Sequence, residues 1–535
     1  MPVSLSPRVK KWKTKSSVSS FSTPAPLLQL QYGQPLFLTP EILRLTSSSL
    51  TSPGVLRYPH FWGLGEKLPI PPLSGYDSAE NNTLREYCQL DDRASILLLR
   101  DISNPPSKTG SEASSTALSF DTWFGIRKST PTDYMKSVQA WAPDMAVSFH
   151  DEINRSAGSN RTRACVDRAS HWLQECVDFQ TKQSEASSSQ SCALPALLAF
   201  LPCVADTVGR NFAIEKILSI VKRSSQHDMS IDHGSNGSTS SSPSQMLTSS
   251  SSSQMLTSLK SSIAGFVFGC LGQGETNQER IDILSDVIPK VPETQLRVIS
   301  GVTTPFDILD CIALGIDIFD SDYPNLLTSA GLAATFYYKY NNSSPDSRIS
   351  SKMLEEDYIG SLSQSSSSPR HERHVEDNND EGEKEEEVLK RKRNPAALTG
   401  TQMAEALVLE RSRQILSNDP LPRIYLRSSR FLDDESPLVS SCECFACSGL
   451  SKEKAAEMLP TTKDKRPISH PGHMRCYVNH LLETGELLGH VLLTTHNVYH
   501  FNAFFAEIRK SIEEGYFVEY KAWFRNINTN INTSQ

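Results

Sequence analysis

The sequence predicts an α/β protein, and three observations carry that reading. Short runs rich in β-branched, aromatic and leucine residues recur between residues 27 and 321. Several of them are separated by stretches with helical periodicity. Most are apolar at consecutive rather than alternate positions, as expected of strands in a parallel sheet whose two faces are both covered. Strands alternating with helices imply right-handed βαβ units, and eight such runs suggest a (β/α)8 barrel.

In chain order the runs are LLQLQ (27–31), ILLLR (96–100), TALSFD (116–121), MAVSFHD (145–151), ALLAFL (196–201), IAGFVFG (263–269), LRVISGV (296–302) and IDIFDS (316–321). Residues 132–138 and 276–287 have the spacing of intervening helices. Near the C-terminus, Val498, Phe501, Phe504, Phe505, Ile508 and Ile512 fall on one helical face. That pattern predicts a helix beginning near His496, with Gly515 as its stop.

Composition limits the rest. Hydrophobic residues make up 38% of the 535, so part of the chain is expected to build no core. The longest nearly uncharged apolar run, CALPALLAFLPCVA (192–205), falls short of the roughly 20 residues that a spanning helix needs, which excludes an integral membrane protein. Of the net charge of −8, −7 sits in EDNNDEGEKEEE (376–387), with eight acids and one lysine, so overall charge says nothing about partners. Residues 228–262 are dominated by serine and repeat SQMLTS at 244–249 and 253–258, as a tolerated loop expansion would. The tract 341–395 runs through serines and the acidic block to Lys390, Arg391, Lys392 and Arg393, and reads as a charged linker. The first 40 residues contain no acid and include Arg8, Lys10, Lys11, Lys13 and Lys15, a composition shared with mitochondrial presequences. Pro2 and Pro7 argue against a continuous amphipathic helix there, and a disordered basic tail is expected instead.

The strongest chemical signal is Cys442-Glu-Cys444-Phe-Ala-Cys447. Its Cys-x-Cys and Cys-x-x-Cys spacings allow one tight turn to present three sulfurs to a tetrahedral zinc ion. Candidates for a fourth ligand are His470, His473, His480 and the more distant His496. A closed set of four protein ligands leaves no position for a catalytic water, so the metal is expected to be structural. The remaining cysteines of the eleven are scattered and read as reduced core or incidental thiols.

CECFAC, RCYVNHLLETGELLGHVLLTTHN and FFAEIRKSIEEGYF together resemble the C-terminal region of the tRNA-guanine transglycosylases, the queuine tRNA-ribosyltransferase family. SGVTTPFDILDCIALGIDIFDSDYP (300–324) resembles the segment leading into the family's catalytic strand, and TPAPLLQLQYGQPLFLT (23–39) the start of the barrel in its accessory subunits. The resemblance implies a (β/α)8 TIM barrel with a C-terminal zinc-binding subdomain, and Cys442, Cys444, Cys447 and His496 as ligands of one Zn2+. The expected organisation is a disordered basic tail at 1–20 and the barrel at 21–340 carrying the insert 228–262. A disordered insert follows at 341–395, then the end of the barrel with the zinc-binding subdomain at 396–535.

The family exchanges guanine for a deazaguanine base at the anticodon wobble position of tRNA. One aspartate attacks the ribose anomeric carbon, a second handles protons, and glycine-rich loops hold the base. Asp320 matches the nucleophile position. Around it the other parts depart from the family. The segment after it reads Pro324-Asn325-Leu326-Leu327-Thr328, without arginine, and Asp121-Thr122-Trp123-Phe124-Gly125 stands where the second aspartate and a glycine pair belong. Gly265-Phe266-Val267-Phe268-Gly269-Cys270-Leu271 has lost the pocket glutamate. The resemblance therefore implies a non-catalytic accessory subunit, paired with a catalytic subunit of the same fold and binding tRNA in the cytoplasm, at most peripheral to the mitochondrial outer membrane. The rival expectations are an active transglycosylase using Asp320 and a tRNA-binding scaffold with no part in modification.

Overall fold

The computed structural model describes residues 5–13, 20–46, 52–64, 84–90, 93–102, 113–122, 125–186, 194–232, 256–258, 263–340, 412, 416–417, 419–440, 442–449 and 472–530. The chain divides into two compact units, Met1–Tyr323 with Asn502–Trp523, and Pro324–Phe501 with Phe524–Gln535.

The first unit is built on a ten-stranded sheet in a mixed α/β arrangement. Its order is Ala25–Pro26, Ile318–Asp320, Leu296–Ser300, Ile263–Gly269, Ala196–Pro202, Met145–Val147, Ser95–Leu98, Gly54–Arg57, Leu28–Gln31 and Gln34–Pro35. Every pairing is parallel except that of the last two strands. Ala196–Pro202 and Ile263–Gly269 are buried at every position, as sequence continuity predicts for strands covered on both faces. Helices Pro131–Trp141, Ser159–Ala186, Thr207–Asp232, Asn277–Val287 and Pro305–Ala313 alternate with them. Local chemistry sets where several start. Thr130 and Thr276 form capping boxes with Asp133 and Glu279, Thr304 caps the next helix, and Pro131 and Pro305 occupy first-turn positions whose N–H would be unpaired anyway.

The strand reading needs two corrections. Residues 116–121 do not join the parallel sheet. Leu118–Thr122 pairs antiparallel with Gly125–Ser129, burying Leu118 and Phe120 and leaving Asp121 exposed. That alternation is the signature of a strand with one face in water. The place in the parallel order belongs to Gly54–Arg57, fully buried although it ends on an arginine. The disordered tail is also corrected in part. Lys10–Lys13 is a strand antiparallel to Ser20–Thr23 with Trp12 buried, and Arg8 bonds to Asp317. Strand Leu256–Ser258 lies within the predicted serine-rich insert, whereas the tract 341–395 lies outside the described residues.

In the second unit, Leu332–Ala334 pairs antiparallel with Arg423–Tyr425. Helices Phe445–Ser448 and Arg475–Glu483 follow, and Leu487–Glu513 carries its first half here. Ala333, Ile424, Leu426, Phe431, Leu438, Val478, Leu482, Leu492 and Leu493 form a core shared with Cys442, Cys444 and Cys447. The long helix begins nine residues before His496 rather than near it, so His496 sits inside the helix where its backbone is fully hydrogen-bonded. Among the described residues no helix is long and apolar enough to cross a membrane.

Candidate functional site

Cys442, Cys444, Cys447 and His496 are all buried, and their ligand atoms lie within 4.8 Å of one another. Cys444 caps the short helix Phe445–Ser448, its Sγ accepting from the Cys447 amide at 3.4 Å, so a single turn aims the sulfurs inward. His496 Nδ1 lies 3.6, 3.7 and 3.3 Å from the sulfurs of Cys442, Cys444 and Cys447. A tetrahedral ion with metal–sulfur bonds of about 2.3 Å and metal–nitrogen bonds of about 2.0 Å separates such donors by about 3.6 Å. The donor set therefore has the spacing that lets it hold one metal ion.

The surroundings fix the imidazole. His496 Nε2 donates to Ala334 O at 2.8 Å, which leaves the Nδ1 lone pair facing the sulfurs. Asn497 holds the same strand from its other groups. It accepts from the Ala334 amide at 2.9 Å and donates to Leu332 O at 2.9 Å and to Thr328 Oγ1 at 3.1 Å. The Thr-His-Asn sequence thus supplies a candidate ligand and the clamp that registers it. The thiols oppose one another: bonds from Cys444 and then Cys447 pull Cys442 far below its ordinary range, while bonding to Cys442 pushes Cys447 far above. A cation bound to three thiolates removes that conflict.

Of the other histidines proposed as ligands, His473 lies beside the site without joining it. Its amide donates to Ala446 O at 2.8 Å and its ring stacks on Tyr477. His480 is exposed near the end of its helix, and His470 lies outside the described residues.

Asp320 ends a parallel strand of the first unit, where the strand's C-terminus meets Arg57. Its carboxylate is fully buried. Oδ1 accepts from Arg57 Nη2 at 2.6 Å and Gln29 Nε2 at 2.8 Å, and Oδ2 accepts from Arg57 Nη1 at 2.9 Å. Arg57 is itself 1% exposed and donates further to Arg100 O and Gln29 Oε1. Both oxygens are thereby committed to a bidentate pair. Of the base-pocket positions, Asp121 lies on the exposed hairpin, and Trp123 and Phe124 lie outside the described residues. Asp101, three residues past the strand Ser95–Leu98, pairs instead with His60 at 3.3 Å. Sequence reasoning passed over it, although a carboxylate just beyond an apolar strand is the usual signal.

The retained glycines serve packing. A Cβ at Gly265 would meet Leu296 O at 2.3 Å, and one at Gly269 would meet the Phe200 ring at 1.9 Å. Phe200 stacks on His150 with centroids 3.8 Å apart and planes 8° from parallel. We expect Gly269→Ala to cost about 1–3 kcal/mol by overpacking, and adding Phe200→Leu to return most of it, as urea unfolding of the single and double variants will show.

The family model described as queuine tRNA-ribosyltransferase matches residues 221–530, more than half of the chain, so this chain belongs to that family. Its relatives include three proteins named queuine tRNA-ribosyltransferase accessory subunit 2. The Gallus gallus protein is 28% identical over 256 residues, covering 48% of this chain and 45% of the relative. The Homo sapiens protein is 27% identical over 255 residues, covering 48% and 46%. The Drosophila grimshawi protein is 22% identical over 434 residues, covering 81% and 70%. The chain thus spans about half the length of the first two.

Proposed function

We propose that this chain is a non-catalytic accessory subunit of a queuine tRNA-ribosyltransferase. It pairs with a catalytic subunit of its own family and supports the exchange of guanine for queuine at the wobble position of tRNA in the cytoplasm. The observation that carries this reading is the burial of Asp320 against Arg57 and Gln29. A nucleophile must reach the ribose anomeric carbon, and this carboxylate is fully buried with both oxygens bonded to Arg57. The shared name of the relatives supports the same assignment.

The architecture proposed is a closed (β/α)8 barrel, with the zinc-binding subdomain in 396–535. Support comes from the run 25–31. Ala25–Pro26 bonds to Ile318–Asp320, Leu28–Gln31 bonds to Gly54–Arg57, and only Leu27 separates the two pieces. One strand serving both ends of the order is what closure requires. The ion proposed at Cys442, Cys444, Cys447 and His496 is zinc, since thiolates with an imidazole in a tetrahedral set favour it. With four protein ligands it supplies cross-linking rather than catalysis.

The test is base exchange with radiolabelled guanine and tRNA. The purified chain alone is expected to give none, and the complex with its catalytic partner is expected to turn over equally with the charge-free pair Arg57→Met/Asp320→Leu in this chain. Turnover by the chain alone, abolished by Asp320→Asn, would overturn the assignment.

A further inference from the structure

His500 lies one turn beyond His496 on the helix Leu487–Glu513, and residues four apart share a helical face. The two rings are anchored in the same way. His500 Nε2 is 2.9 Å from Phe336 O, as His496 Nε2 is 2.8 Å from Ala334 O. A carbonyl oxygen only accepts, so in both rings Nε2 carries the proton and Nδ1 offers a lone pair. His496 turns that lone pair toward three sulfurs. The equivalent Nδ1 of His500 is buried without a hydrogen-bond partner, on a side chain 2% exposed. The His496 and His500 rings lie with centroids 5.5 Å apart, which places His500 beside the cluster, and of the three thiols it is Cys442 that acts electrostatically on His500. Phe336 and Tyr338 pack edge-on against the ring at 4.5 and 4.8 Å, fixing its plane.

An unpartnered buried acceptor is costly and calls for an explanation. Two histidines at i and i+4 on one helical face can reach a single zinc ion. We propose that His500 is a reserve ligand of the metal centre: when Cys442 detaches, His500 Nδ1 takes its coordination position, and Cys444, Cys447, His496 and His500 hold the ion. The sulfur–metal bond breaks with its electron pair remaining on sulfur, a nitrogen–metal bond forms from the Nδ1 lone pair, and no oxidant or reductant is involved. The ion with its ligands goes from net negative to neutral, and the displaced Cys442 thiolate keeps its negative charge until it takes up a proton from solvent. The inference rests on the metal-centre reading and adds a fifth donor to it.

The test uses the full chain loaded with cobalt(II), read by stoichiometry and absorption. Cys442→Ala is expected to keep close to one cobalt with a tetrahedral spectrum, its sulfur-to-metal charge-transfer intensity falling to about two-thirds as thiolates drop from three to two. Cys442→Ala/His500→Phe is expected to lose the metal, and Cys444→Ala to lose it with His500 intact. Equal retention by the first single and double variants overturns the proposal, as does complete loss in Cys442→Ala with native far-ultraviolet circular dichroism. If Cys442→Ala does not fold, His500→Phe alone decides: zinc should pass to a chelator several-fold faster than from the wild type, and equal rates refute the reserve role. A wild-type chain that binds no metal sinks the centre itself, whereas a wild-type centre with no dependence on His500 sinks only this inference.

Discussion

Cys444→Ser is expected to empty the metal centre and unfold the second unit with it. Serine can cap the helix through Oγ where cysteine uses Sγ, but it replaces a soft thiolate ligand with a poor one. Structural zinc sites bind with an apparent free energy of about 10–16 kcal/mol in small peptides, and that binding energy is folding energy. Here the three cysteines are part of the core that holds Leu438, Val478, Leu482, Leu492 and Leu493. Losing the ion therefore leaves closely packed thiols and an imidazole with no common partner. The expected result is a metal content near zero, a lowered unfolding temperature and loss of co-purification with the catalytic partner proposed above, all in the same variant. Metal analysis alongside thermal unfolding checks it. Wild-type assembly by a metal-free Cys444→Ser protein would remove the structural role assigned to the centre.

Much of this centre was legible because its information is local. Cys442, Cys444 and Cys447 declare themselves by spacing, whereas spacing left four histidines open and only the family resemblance around Thr-His-Asn favoured His496. The anchoring of His496 was not legible, because it depends on the carbonyl of Ala334, 162 residues away in sequence. His500 escaped notice for the same reason. Its i, i+4 spacing from His496 was visible, but only the Phe336 carbonyl reveals which nitrogen is left over. The strands followed a similar division. Long apolar runs such as Ile263–Gly269 announced themselves, whereas Gly54–Arg57 is four residues ending on a charge, and nothing local says that the charge is buried. Residues 116–121 misled through hydrophobicity counted without regard to its period. Leu118 and Phe120 alternate with Ser119 and Asp121, which already indicated one wet face. Asp320 was identified by position, but the partners that bury it were not, since Gln29 and Arg57 lie far away in sequence.

Arg57→Ala is expected to be the most damaging single change in the first unit, at about 3–5 kcal/mol, because it strands a fully buried carboxylate without its counter-charge. The guanidinium also donates to Arg100 O and Gln29 Oε1, so its removal leaves those acceptors unpaired as well. Removing both charges is a different experiment. A buried ion pair repays its desolvation only partly, and apolar residues of similar volume often substitute at little cost. Arg57→Met combined with Asp320→Leu should therefore recover most of the stability lost in Arg57→Ala, giving a strongly non-additive cycle by urea unfolding. The same series tests the proposed absence of catalysis. If the ion pair alone silenced an otherwise competent site, Arg57→Ala would free Asp320 and base exchange would appear. It should not, because Phe200 stacked on His150 still packs against Gly269 where the family's glycine-rich loop belongs. Near-wild-type stability of Arg57→Ala would show that the pair is not the anchor described, and measurable guanine exchange by that variant would show that this chain is a restrained enzyme and not the accessory subunit proposed.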